Sequence, residues 1–163
     1  MGMGQYVKKM KTYLPDNVDF VMASSQVAVF NNEGKFLITQ RADDKRWDIP
    51  GGGCEEADSF KQTAVKEVKE ELNIDTTEDD LEFLGVVSDA SISTMSYPNS
   101  NKTRYYTTVF KIDDFTGNIE FTDGENLDYA FVTAQEALDN YNLIPSSRYI
   151  IEQLKNNNIP FVN

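Results

Sequence analysis

Trp47-Asp48-Ile49-Pro50-Gly51-Gly52-Gly53-Cys54-Glu55-Glu56-Ala57-Asp58 leads into Ser59-Phe60 and on to Lys66-Glu67-Val68-Lys69-Glu70-Glu71-Leu72-Asn73-Ile74. The second half of this stretch is the best helix in the sequence. Ser59 and Gln62 have the spacing of a capping box, and Phe60, Ala64, Val68 and Leu72 recur as an apolar stripe, so residues 59–72 read as a helix docked on a sheet. Gly51-Gly52-Gly53 reads as irregular backbone that lets the chain approach something closely. On the helix, Glu67, Glu70 and Glu71 stand at i, i+3 and i+4, which stacks three carboxylates along one face beside the stripe. Like charges so spaced cost roughly 0.2–0.5 kcal/mol per pair, which a solvated face with Lys66 and Lys69 nearby tolerates. The same three hard oxygen donors beside a glycine-rich segment also suit a divalent cation that bridges substrate phosphates, and charge alone leaves both readings open.

Outward from this stretch the pattern alternates. Upstream, residues 26–30 and 35–40 are apolar runs separated by Asn31-Asn32-Glu33-Gly34, which predicts a hairpin. Downstream, residues 81–88, 105–112, 118–121 and 127–132 read as strands, with a turn at Thr116-Gly117, and residues 134–140 and 146–156 as helices. Residues 89–103, rich in Ser and Asn, read as a mobile surface loop near a site. At the start, Tyr6, Val7, Met10 and Leu14 have helical spacing, so a short amphipathic helix is expected over about residues 4–14, before Pro15. Three roles are open to it: packing on the sheet, covering a pocket, or mediating a homodimer. The order of elements, without internal repeats, predicts one α/β layered domain over residues 1–163 with a mixed sheet.

Composition narrows the chemistry. The formal charge of −12 opposes a nucleic-acid or anionic-membrane partner, because the field of the whole surface repels a polyanion. No histidine is present, which removes Ser-His-Asp and Cys-His nucleophile schemes and histidine-ligated zinc. Acid–base and metal chemistry therefore fall to the 27 carboxylates. A lone cysteine, Cys54, forms no intramolecular disulfide and reads as a small packed side chain; with no signal peptide or spanning segment in the pattern, the cytoplasm is the expected location.

The quoted stretch resembles the Nudix box, whose pattern is Gly, five residues, Glu, seven residues, Arg-Glu, an aliphatic, any residue, Glu-Glu, any residue, Gly and an aliphatic. Gly52, Glu67, Val68, Glu70, Glu71 and Ile74 fall on it in register, while Asp58, Lys66 and Asn73 replace the usual Glu, Arg and Gly. Asp58 and Lys66 occupy positions that pair with each other, so the two changes keep an ion pair while losing the bidentate fork of arginine. Asn73 stands just past the helix end, where a left-handed residue is wanted. Phe36-Leu37-Ile38-Thr39-Gln40-Arg41 resembles the strand before the box, and Gly124-Glu125-Asn126-Leu127-Asp128-Tyr129-Ala130-Phe131 the acidic loop and strand after it.

The resemblance implies an α/β/α sandwich with the box helix packed on a mixed sheet. It also implies a Mg²⁺- or Mn²⁺-dependent hydrolase that cleaves the diphosphate linkage of a small nucleotide-like substrate. Gly51, Glu67, Glu70, Glu71 and Glu125 are the implied metal set, with Glu67 and Glu125 both candidates for the base. Arg41, Gly52 and Tyr97 are candidates for substrate contact, and Gly52, Asp58, Lys66 and Asn73 for structural roles in the motif. A nucleoside diphosphate linked to another group, such as ADP-ribose or a nucleotide sugar, is the first substrate expectation. A MutT-type (d)NTP pyrophosphatase and a non-catalytic nucleotide-binding module are the alternatives.

Overall fold

Strand β1 (Phe20–Asn31) is the spine of the molecule. The computed structural model describes residues 9–10, 12–15, 17–96 and 102–163. Along one edge β1 runs parallel to β7 (Lys102–Phe115), from Phe20 opposite Thr103 to Asn31 opposite Phe115. On the other edge it meets β4 (Gly51–Gly53) antiparallel at residues 24–26. The sheet continues from β7 to β5 (Glu82–Val87) and on to β9 (Phe161–Val162), with β6 (Thr94–Ser96) on the early part of β7. The predicted hairpin exists only at its root. β1 and β2 (Phe36–Arg41) share the single register pair Phe30–Phe36, after a turn in which Gly34 takes φ +73°. Beyond that pair β4 occupies the edge of β1, so β2 diverges and pairs instead with β3 (Trp47–Asp48) and β8 (Asn126–Val132), both antiparallel.

Helix α1 (Phe60–Leu72) covers one face of this mixed sheet, and α3 (Ala134–Asn140) with α4 (Pro145–Lys155) covers the other, which gives the expected α/β/α sandwich. Ala64, Val68 and Leu72 of α1 pack on Val27, Val29, Leu37 and Phe110. Ile150 and Ile151 of α4 pack with Ala28, Ile38, Ile49 and Val109 on the opposite side. The capping box forms as predicted: Gln62 N–H donates to Ser59 Oγ at 3.2 Å and Ser59 N–H to Gln62 Oε1 at 2.9 Å. At the other end Asn73 takes the left-handed conformation, φ 55° and ψ 32°, so its N–H reaches back to the Lys69 carbonyl. Phe60 leaves the apolar stripe and is exposed, while Thr63 is buried in its turn.

Three expectations are corrected. Gly51–Gly53 is a strand, because its backbone completes the open edge of β1. Residues 118–121 form no strand: the Glu120 N–H donates to the Leu72 carbonyl at the end of α1, while Ile119 and Phe121 pack against the core beneath that helix. Much of the presumed loop at 89–103 is regular, with the helical turn α2 (Ala90–Ser93) capped by Asp89 and then β6. Tyr97 and its neighbours lie outside the described residues. So does most of the expected N-terminal helix, of which Lys9, Met10, Thr12 and Tyr13 are helical.

Candidate active site

Where β1 and β2 part, a cleft of about 710 Å³ opens between the two groups of strands. One wall is β4 and α1. Gly51 lies so close to β1 that a Cβ there would stand 2.1 Å from the Ser25 carbonyl oxygen. Gly52 faces α1, and a Cβ there would stand 2.5 Å from the Glu67 carboxyl carbon. The missing side chain is therefore the seat of the Glu67 carboxylate. Glu71, one turn on, lines the cleft with only 7% of its surface exposed. Glu70 projects from the same helix without lining the cleft, although its charge reaches Glu67.

The opposite wall carries Arg41, Asp43 and Asp48, with Asp123, Gly124 and Glu125 along the rim. The structure thus gathers Arg41, Gly51, Gly52, Glu67, Glu71 and Glu125 around one space. The Glu125 carbonyl accepts from Ala42 N–H at 2.7 Å, which holds that loop beside the end of β2. Asp58 and Lys66 pair as expected at 3.2 Å, and Lys66 also contacts Glu55, a partner not singled out in the sequence. Cys54 lines the cleft instead of packing in the core, and burial pushes its thiol pKa up. Asp48, Asp123 and Gln26 also line the cleft, and Ser147 supports Asp48 from behind. Asp48 lay within the decisive stretch and Asp123 beside Gly124, but Gln26 and Ser147 carry no local signal.

Electrostatics set the character of the site. Burial, then the charge of Glu70, pushes the Glu67 carboxyl up to about 7. Glu71 is pushed well above the ordinary carboxylate range by burial and then by Glu67, Asp48 and Asp123. Asp48 is also raised by burial, despite Arg41 and Ser147 beside it. Burial works against the Arg41 charge, but Asp48, Asp43 and Asp44 more than offset it and raise its pKa. Carboxylates crowded onto the walls of a cleft at this cost suit a hard divalent cation. Among the described residues no three acidic or cysteine side chains stand close enough together to hold a metal ion between them.

The NUDIX domain profile matches residues 21–154. The chain belongs to the NUDIX family. It is 28% identical over 144 residues to an RNA pyrophosphohydrolase of Campylobacter jejuni, covering 86% of this chain and 90% of that protein. It is 27% identical over 131 residues to the nucleoside triphosphatase NudI of Klebsiella pneumoniae, covering 77% and 91%. Among solved structures, the MutT protein of Methanosarcina mazei Go1 superimposes with a TM-score of 0.69 at 22% identity, covering 86% of this chain and 96% of that one. This Nudix protein is accordingly a hydrolase. Among its described residues no helix is long and apolar enough to cross a membrane.

Proposed function

We propose that this Nudix hydrolase is a Mg²⁺- or Mn²⁺-dependent pyrophosphohydrolase of a free nucleotide, with a nucleoside triphosphate as its first candidate substrate. The observation that carries this reading is the Glu67 carboxylate seated on Gly52, beside buried Glu71, on the wall of a cleft large enough for a mononucleotide. Glu67 and Glu71 with the Gly51 carbonyl would hold the cation, with Glu125 as a further ligand from across the cleft; Glu70, which does not line the cleft, would act on the site through its charge. Bound there, the cation would neutralise charge on the diphosphate. Glu67 and Glu125 are the two acceptors within the cleft for a proton from the attacking water. Arg41 contacts a phosphate, while Gly51 and Gly52 let the substrate approach the strand backbone.

The relatives' names support a triphosphate end: one is an RNA pyrophosphohydrolase, the other a nucleoside triphosphatase. The formal charge of −12 disfavours a long RNA, since the field of the whole surface would repel the polyanion beyond its first nucleotides. Neither of these names mentions ADP-ribose or a nucleotide sugar, so that expectation survives as one arm of the test. The test is product analysis with canonical and oxidised (d)NTPs, ADP-ribose, nucleotide sugars, dinucleoside polyphosphates and 5′-triphosphorylated RNA, with Mg²⁺ or Mn²⁺, for wild type beside Glu71→Gln. Metal-dependent cleavage of a (d)NTP, lost in the variant, is expected. Faster cleavage of ADP-ribose or of the RNA end would replace the substrate assignment, and no turnover on any member would remove the reading.

A further inference from the structure

Among the described residues that line the cleft, Arg41 is the single lysine or arginine. An anionic substrate therefore meets one fixed positive charge there, and the direction of that guanidinium matters. Of its five N–H groups, Nε and Nη2 donate to Asp43 at 3.1 and 2.6 Å, and Nη1 donates to Asp48 Oδ2 at 3.4 Å. Two N–H groups are left over for a phosphate. Asp43 is half exposed on the turn that follows Arg41, so it can travel with the arginine. Asp48 cannot. Its Oδ1 accepts from Gln26 Nε2 at 2.9 Å and from Ser147 Oγ at 2.6 Å. The same two side chains grip the next residue, since Gln26 Nε2 also donates to the Ile49 carbonyl at 3.0 Å and Ser147 Oγ accepts from Ile49 N–H at 2.9 Å. Backbone bonds from Trp47 N–H to the Asn142 carbonyl and from Ile144 N–H to the Trp47 carbonyl tie the same point to the start of α4. Asp48, at the end of β3, is thus fixed from β1 and α4, with Oδ2 left over to face Arg41.

We infer that Asp48 is a positioning residue for substrate binding: its clamped carboxylate holds the Arg41 guanidinium in the cleft wall, where two N–H groups meet a substrate phosphate. The inference rests on the reading of the cleft as a nucleotide site. At 3.4 Å the contact is a tether of charge more than a tight hydrogen bond, so removing the charge while keeping the shape should release it. Asp48→Asn keeps an oxygen for Gln26 and Ser147. Arg41 then follows Asp43 and Asp44 towards solvent.

The experiment is a double-mutant cycle on the full chain, read as ADP affinity by titration calorimetry in Mg²⁺ buffer and as KM and kcat on the substrate found above. Asp48→Asn and Arg41→Gln are each expected to weaken ADP about tenfold, the size of one charge-assisted hydrogen bond. KM should rise by a similar factor while kcat stays within about twofold. The double variant should bind no more weakly than Arg41→Gln alone. Should Asp48→Asn fail to fold, Ser147→Ala loosens Asp48 without altering its charge; it should weaken ADP about threefold beside Arg41 and leave affinity unchanged in the Arg41→Gln background. Wild-type affinity in Asp48→Asn, losses that multiply in the double variant, an equal effect of Ser147→Ala in both backgrounds, or no ADP binding by wild type would each overturn the inference. A wild type that binds ADP yet cleaves nothing sinks the proposed activity alone, and the cycle is still read from affinity.

Discussion

On one wall of the cleft, Gly51–Gly53 and α1 deliver Glu67 and Glu71 from a single run of chain, residues 51–73. On the other, Arg41 and Asp48 depend on Gln26 of β1, 22 residues before Asp48, and on Ser147 of α4, 99 residues after it. The first wall is a local object: a glycine strand, a capping box, one helix and a left-handed stop. The second exists only once α4 has docked on the sheet, because its carboxylate is buried and needs every donor in place. Local pattern therefore specifies the carboxylates of the site, and packing between distant elements specifies the setting of Arg41.

The contrast can be broken most sharply at the helix. Glu67→Gln keeps the shape of the local wall and removes the proposed proton acceptor, so metal-dependent turnover should fall by about 10²–10⁴-fold with little change in melting temperature. Gly52→Ala leaves every carboxylate in the sequence but puts a methyl 2.5 Å from the Glu67 carboxyl carbon. Because that carboxylate ends a flexible side chain, the fold survives while turnover should drop by about 10²-fold, the effect of a misplaced catalytic group. Leu72→Ala tests the packing beneath the same helix. The side chain is fully buried against the sheet, so denaturant unfolding should show a loss of about 2–5 kcal/mol.

Two smaller changes sharpen the comparison where the chain enters the helix. Ser59→Ala removes the capping oxygen and should cost about 1 kcal/mol in the same unfolding measurement. Lys66→Ala removes the partner of Asp58 and Glu55, but the pair lies near solvent; the loss should stay below about 1 kcal/mol and shrink as salt is added. A loss several times larger at Lys66 would mean that the ion pair, more than the cap, holds the β4–α1 connection.

Legibility in the sequence follows the same division. The α1 stripe, its cap at Ser59 and the stop at Asn73 depend on neighbours within four residues, so their spacing was enough to read them. The family resemblance added the roles expected of Glu67 and Glu71, which no spacing rule supplies. Gly51–Gly53 misled, because a strand without side chains carries no alternation; only the open edge of β1 makes it one. Residues 118–121 misled in the opposite sense, as their alternation serves packing on the end of α1 in place of sheet pairing.

By itself, then, the sequence determined the carboxylate helix, the glycines beside it, the strong negative charge and the layered fold, since each is written in composition or short-range periodicity. Only the tertiary structure decided that β1 runs parallel to β7, that β2 leaves β1 after one pair of residues, and that the cleft opens at that parting. It also decided which acids and amides surround Arg41. The physical reason is that backbone edges and buried charges must be satisfied wherever a partner lies in space, and the distance along the chain to that partner leaves no local trace.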